Sequence, residues 1–202
     1  MDELLLPSES FIERLSWTEI HSTGLLERRL IEGEPVMDCL VRRARTSDLE
    51  KLVELRIRVQ EHMEASSSRV WRITEEGKRN LRKTLEESLS KKDGLMLVAE
   101  KDNDLMGFIY GEVTHRPDYL PPGTGQISLL YVKEDFRRHG LGSTLVKELC
   151  RFFRNENIDE VTLRYVLGNI EGERFWSSLG FKPVLVTVSR PLRELEQTLN
   201  QL

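Results

Sequence analysis

No uninterrupted apolar stretch approaches the roughly 20 residues needed to cross a bilayer, so a membrane-spanning reading is excluded. Cysteine is scarce. Cys39 and Cys150 alone cannot build a disulfide framework or a zinc site, and they read as small, buried apolar residues with no metal expected. Charge of one sign is missing too: 30 basic residues stand against 34 acidic ones, giving a net charge of −4 and a pI near 5.7. That balance argues against a nucleic-acid partner. Repeats and low-complexity tracts are absent, and Met1 to Pro7 is acidic and too short for a signal peptide, so a cytoplasmic location is expected. What is present is an ordinary globular composition, 39% hydrophobic and 32% charged over 202 residues. This length suits one domain with an appendage, or two small domains.

Residues 1–36 differ in character from the rest. Phe11, Ile12, Leu15 and Ile20, then Leu25, Leu26, Leu30 and Ile31, suit two short amphipathic helices in an extension, with the main domain over 37–202. The first strand candidate runs from Cys39 to Arg45. Ser47 with Glu50 is a capping-box pattern, predicting a helix from there to about Glu64 with Leu49, Leu52, Val53 and Ile57 at helical spacing. A second helix is expected from Thr74 to Ser90, striped by Leu81, Leu85 and Leu89. The period then changes to that of strands: Leu95 to Glu100 and Leu105 to Val113 form a hairpin about Lys101-Asp102-Asn103-Asp104. Pro117 to Gly125 reads as a loop, Gln126 to Val132 as a strand, Gly142 to Asn155 as an amphipathic helix and Val161 to Val166 as a strand. Ile170 to Leu179 is a short helix, Pro183 to Ser189 a last strand, and a polar helix follows Pro191. The order is that of an α/β fold with a mixed sheet and helices on both faces.

The chemistry sits between a strand and a helix, in Arg137-Arg138-His139-Gly140-Leu141-Gly142-Ser143. A glycine-rich turn at a helix N-terminus lets backbone N–H groups converge on an anion, and the helix dipole adds partial positive charge. Two familiar nucleotide motifs fail. A P-loop needs a lysine before Ser143, where Gly142 stands, and a dinucleotide fingerprint needs a third glycine where Leu145 stands.

With Ile127 to Val132 before it, Arg137-x-x-Gly140-x-Gly142 resembles the acetyl-CoA signature of the GNAT-type N-acetyltransferases. Asn169, then Phe175-Trp176, then Leu179-Gly180-Phe181 resemble that family's second signature. The resemblance covers about residues 39–189 and implies a central sheet that splays apart. It also implies that backbone amides of Arg138, His139, Gly140, Leu141, Gly142 and Ser143 hold the pyrophosphate of acetyl-CoA, with charge from Arg137. Main-chain groups of Leu130 and Val132 would pair with the pantetheine arm, and Asn169 would bond it from the other side of the splay. The reaction implied is direct acetyl transfer to a primary amine of a small molecule or protein.

Two departures from the family pattern bear on proton transfer. Trp176 stands where many members have a tyrosine acid, and Gln126 where histone-modifying members have a glutamate base. Substitutes are Glu112 as base and Tyr131 as acid, with Tyr165 a further candidate and Ser128 at most positioning a water. His62, His115, Glu64, Asp118 and Tyr119 lie in segments that line the acceptor groove of this family. Trp71 and Trp176 read as packing anchors. The departures leave an alternative open, a non-catalytic acyl-CoA-binding or regulatory domain. A second is that the N-terminal helices make the chain an interaction protein or an obligate homodimer.

Overall fold

The structure is a computed structural model that describes residues 39–66 and 71–201. The two helices expected in residues 1–36, and the boundary at 36/37, lie outside the described residues. The chain divides into two compact units, one ending at Val166 and one beginning at Leu167.

In the first unit, β1 (Leu40–Arg43), β2 (Gly94–Lys101), β3 (Asp104–His115), β4 (Gly123–Val132) and β5 (Val161–Leu163) form one sheet in sequential order. Each of the first four strands is antiparallel to its neighbour, and β5 joins β4 in parallel, which makes the sheet mixed. The helices of this unit are α1 (Leu49–Ser66), α2 (Glu75–Ser90) and α3 (Leu141–Asn155). Burial patterns separate the two faces of the sheet. Met96, Val98, Phe108 and Tyr110 pack with Leu49, Leu52 and Leu55 of α1 and Leu85 of α2. On the opposite face, a Cβ added to Gly111 or Gly125 would meet the side chains of Leu149 or Phe153 of α3 at 2.7 to 2.8 Å. Glycine at these two positions is what lets α3 lie so close to the strands.

Local chemistry explains the element boundaries. The hairpin between β2 and β3 turns on Asp102 and Asn103, both with positive φ (49° and 62°), the conformation a tight two-residue turn requires. α2 begins where expected, and Thr74 caps it, its Oγ1 accepting from the Gly77 N–H at 3.0 Å. The box expected at Ser47 and Glu50 does not form. Instead Thr46–Asp48 is a 3₁₀ turn, and Asp48 Oδ2 accepts the Arg45 N–H at 2.7 Å. The same carboxylate takes a two-pronged bond from Arg42 at 2.7 and 2.8 Å, while Arg42 Nε donates to Glu100 at 2.6 Å. This nearly buried triad ties β1, β2 and the start of α1 together.

β4 begins three residues earlier than its sequence suggests, because Gly123, Thr124 and Gly125 pair with His115, Thr114 and Val113. β5 is shorter than expected, ending at Leu163. In the second unit, α4 (Ile170–Ser178) and α5 (Leu192–Leu199) form as expected, but Pro183 to Ser189 is not a strand. Val184, Val186 and Val188 alternate in a strand-like way, yet they and Leu185 are exposed. A strand exists only where a neighbour takes up its backbone hydrogen bonds, and no described strand pairs with this one.

Candidate functional site

β4 carries a bulge that opens the sheet. Gly111 pairs with Ile127 and Tyr110 with Leu129, so Ser128 is an extra residue opposite no partner. On its other edge β4 pairs with β5 only over Gly125–Ile127. From Ser128 to Val132 that edge has no partner strand among the described residues, leaving a row of backbone donors and acceptors available to an extended ligand.

The segment leading from the end of β4 into α3 provides a second backbone-lined feature. Arg138 has φ +62° and Gly140 φ +79°. Such left-handed residues turn successive N–H groups toward one point, making an anion-binding concavity. Gly140 is the N-cap of α3, no side chain caps it, and the first helical bond runs from the Thr144 N–H to the Gly140 carbonyl at 3.0 Å. The amides of Leu141, Gly142 and Ser143 are therefore the open first turn of a 15-residue helix, with its dipole behind them. Gly140, with its left-handed φ, needs no Cβ here. The fit to a pyrophosphate is good: a helix N-terminus, a left-handed approach, and Arg138 and His139 exposed beside it.

Arg137 is held differently from its neighbours. Its Nε donates to the Val132 carbonyl at 3.0 Å and its guanidinium lies 5.7 Å from the centre of the Tyr131 ring. It braces the end of β4 as well as adding charge near the turn. Leu130 and Val132, the residues expected to present main-chain groups to an arm, both lie on the bulged, half-open stretch.

The sequence profile of the "Acetyltransferase (GNAT) family" matches residues 57–181, more than half of the chain. The chain belongs to this acetyltransferase family. Among curated proteins, an uncharacterized N-acetyltransferase of Methanocaldococcus jannaschii is 31% identical over 86 residues, 42% of this chain and 51% of that protein. The chain thus aligns with about half the length of this curated relative. Among solved structures, a tetramutant of the BH1408 protein from Bacillus halodurans superposes with a TM-score of 0.67 at 21% identity, covering 75% of this chain and 99% of that one. A Clostridium acetobutylicum protein described as a predicted acetyltransferase with acetyl-CoA gives a TM-score of 0.63 at 18% identity, covering 77% and 97%. At these identities the likeness is one of fold, and it places the splayed mixed sheet on a GNAT scaffold.

Within that scaffold, Glu112 is held in an ion pair. Its Oε2 accepts from Lys91 Nζ at 2.6 Å and from Tyr110 Oη at 2.8 Å. Burial pushes the carboxyl pKa up, but the Lys91 ammonium and the Tyr110 hydroxyl together outweigh it and leave the pKa below the ordinary value. A base working near neutral pH is served by the opposite shift; in the structure described, the Glu112 carboxylate fastens the end of α2 to β3. Because the folded-state pKa is lowered, the stability this pair contributes is present above the unfolded carboxylate pKa and fades as pH falls through the folded value. Glu112→Gln is expected to lower the urea midpoint at pH 7 and to lose much of that deficit near pH 3. The comparison of the two midpoints checks it.

Tyr131 stands on the α1 face of β4, half-buried against the core. Glu64 is engaged structurally, its Oε1 accepting from the Ile73 N–H at 2.9 Å and from Gln60 at 3.2 Å. His115 and Tyr119 are exposed, and so is Trp71 at 41%, which corrects its reading as a packing anchor. In the second unit, Trp176 is buried as expected, edge-on to Phe175 and Phe181. Asn169 is the N-cap of α4, its Oδ1 accepting the Gly172 N–H at 3.0 Å. A Cβ on Gly172 would come within 2.8 Å of that carboxamide.

Sequence reasoning missed Arg56. Its helical position gives it no motif, and only the packing of α1 on the sheet reveals that one nitrogen of its guanidinium, Nη1, is buried.

Proposed function

We propose that the chain is an acetyl-CoA-dependent N-acetyltransferase acting on a primary amine of a small molecule or protein. The observation that carries the reading is the left-handed turn at Arg138 and Gly140, opening α3 directly after the unpaired edge of β4. When bound, acetyl-CoA supplies an activated thioester whose carbonyl carbon is open to attack by a neutral amine. The amides from Arg138 to Ser143 hold the pyrophosphate, and the main chain of Leu130 and Val132 holds the arm. An N–H of the same open edge stabilises charge on the carbonyl oxygen. With Glu112 paired to Lys91, the proton lost by the amine passes to water, and Tyr131 is the side chain on β4 proposed to protonate the departing thiolate. Tyr131→Phe is expected to lower kcat roughly tenfold or more, within the usual contribution of a positioned acid, with acetyl-CoA affinity retained.

Thiol release measured across a panel of amines tests the activity. Turnover that requires an amine supports transfer. Tight acetyl-CoA binding without turnover on any amine supports a non-catalytic acyl-CoA-binding domain instead. The acyl donor receives support from the acetyl-CoA named with the Clostridium protein. No described helix is long and apolar enough to cross a membrane, and a cytoplasmic setting is part of the same proposal.

A further inference from the structure

Arg56 lies on the inner side of α1, one turn after Leu52 (0% exposed) and one turn before Gln60 (8% exposed). α1 packs on β3 and β4, and Leu129 and Tyr131 of β4 pack against the core cluster that α1 helps to build. The Arg56 Nη1 atom is buried and, among the described residues, has no hydrogen-bond partner. One other side-chain nitrogen shares that condition among the described residues, Arg116 Nε. That guanidinium at least faces the Tyr119 ring at 5.9 Å. Among the described residues Arg56 has no such compensation: burial pulls its pKa down, and no described carboxylate acts to raise it.

A buried guanidinium nitrogen without a partner costs stability, and native chains keep few such groups. Elsewhere this protein satisfies its buried arginine thoroughly, since Arg42 has two carboxylates. The proposed phosphate-binding turn belongs to α3, which packs on the opposite face of the sheet. An anion meeting Arg56 therefore approaches from the α1 face and belongs to the acceptor, not to the phosphates of the cofactor. A single cation balances a monoanion, and a planar carboxylate matches the guanidinium fork.

We infer that Arg56 receives the carboxylate of the acceptor, so that the amine acetylated is that of an amino acid or of a compound bearing a free carboxylate. This rests on the acetyltransferase reading above, and the test separates the two. In the kinetic arm, matched L-amino acids and L-amino acid amides are compared as acceptors. The carboxylate members are expected to have at least about tenfold higher kcat/KM, and Arg56→Gln is expected to collapse that ratio toward one, chiefly through KM. Equal use of acids and amides by the unaltered protein, or a ratio that survives Arg56→Gln, overturns the inference.

The second arm needs no turnover. N-acetyl amino acids, their amides and inorganic phosphate are each added during thermal unfolding. The acids alone are expected to raise the midpoint, and Arg56→Met is expected to abolish that response while raising the midpoint of the free protein. Phosphate outperforming every acid, or a lowered midpoint in Arg56→Met, contradicts the assignment. Turnover failing on all pairs while the acids still stabilise the protein removes the acetyltransferase reading and leaves a carboxylate site.

Discussion

Gly142→Asp is expected to weaken acetyl-CoA binding on the order of 100-fold or more while leaving the fold intact. Gly142 is the second residue of α3 and its amide belongs to the open first turn. A carboxylate there brings negative charge to within a few ångströms of the proposed pyrophosphate position. Two unit charges about 4 Å apart repel by about 4 kcal/mol at an effective dielectric of 20, and about 1.4 kcal/mol is tenfold in affinity. Folding pulls the other way, because an aspartate in the first turn of a helix interacts favourably with its dipole. The thermal midpoint should therefore hold or rise as affinity collapses. Calorimetric titration beside a melting curve checks both halves, and unaltered affinity would remove the cradle from α3. Gly140 would be a poorer choice for this test, since a side chain at φ +79° strains the backbone whatever its charge.

The largest effect on stability is expected at the triad of Arg42, Asp48 and Glu100. The Arg42 and Asp48 side chains are 9% and 8% exposed, so solvent screens their pairing little. Asp48→Ala removes both bonds to the guanidinium and the acceptor of the Arg45 N–H. Breaking one side of a buried pair typically costs about 3–5 kcal/mol, because the remaining charge stays buried. The double change Arg42→Met with Asp48→Leu should recover much of that loss. Urea unfolding of the three proteins measures it, and a deficit below about 1 kcal/mol for Asp48→Ala would contradict the account. Acid provides a second handle. Burial raises the Asp48 pKa, but the bonds from Arg42 and the Arg45 N–H outweigh it and leave the pKa lowered. The triad's contribution is thus complete above the ordinary aspartate range and fades as pH drops through the lowered folded value.

How much of this was legible in the sequence depended on whether the deciding contact was local. The turn and helix from Arg137 to Asn155 were readable because glycine spacing and a stripe of Leu145, Val146, Leu149 and Phe153 act within one segment, and the structure moves the helix start by one residue. The start of α1 was readable in place but not in mechanism. The Ser47 and Glu50 pattern drew attention from Asp48, whose real partners are Arg42 on β1 and the Arg45 N–H, with Glu100 of β2 completing the triad. The ion pair of Glu112 went unread for the same reason, since Lys91 is 21 residues away and meets it only once α2 is laid against β3. The alternating valines after Pro183 suggested a strand because alternation reports a two-sided surface, but no partner edge can be read from it. The splay of the sheet and the open main-chain groups of Leu130 and Val132 were implied by family resemblance alone, and the bulge at Ser128 was not foreseen, as strand register is set by the whole sheet.

One measurement bears most directly on the central claim: amide-resolved NMR of the ¹⁵N-labelled chain during titration with acetyl-CoA. The account predicts that the largest shifts fall on the amides of Arg138 to Ser143 and of Leu129 to Val132. Shifts concentrated elsewhere, or no response from those two segments at saturating acetyl-CoA, would contradict it.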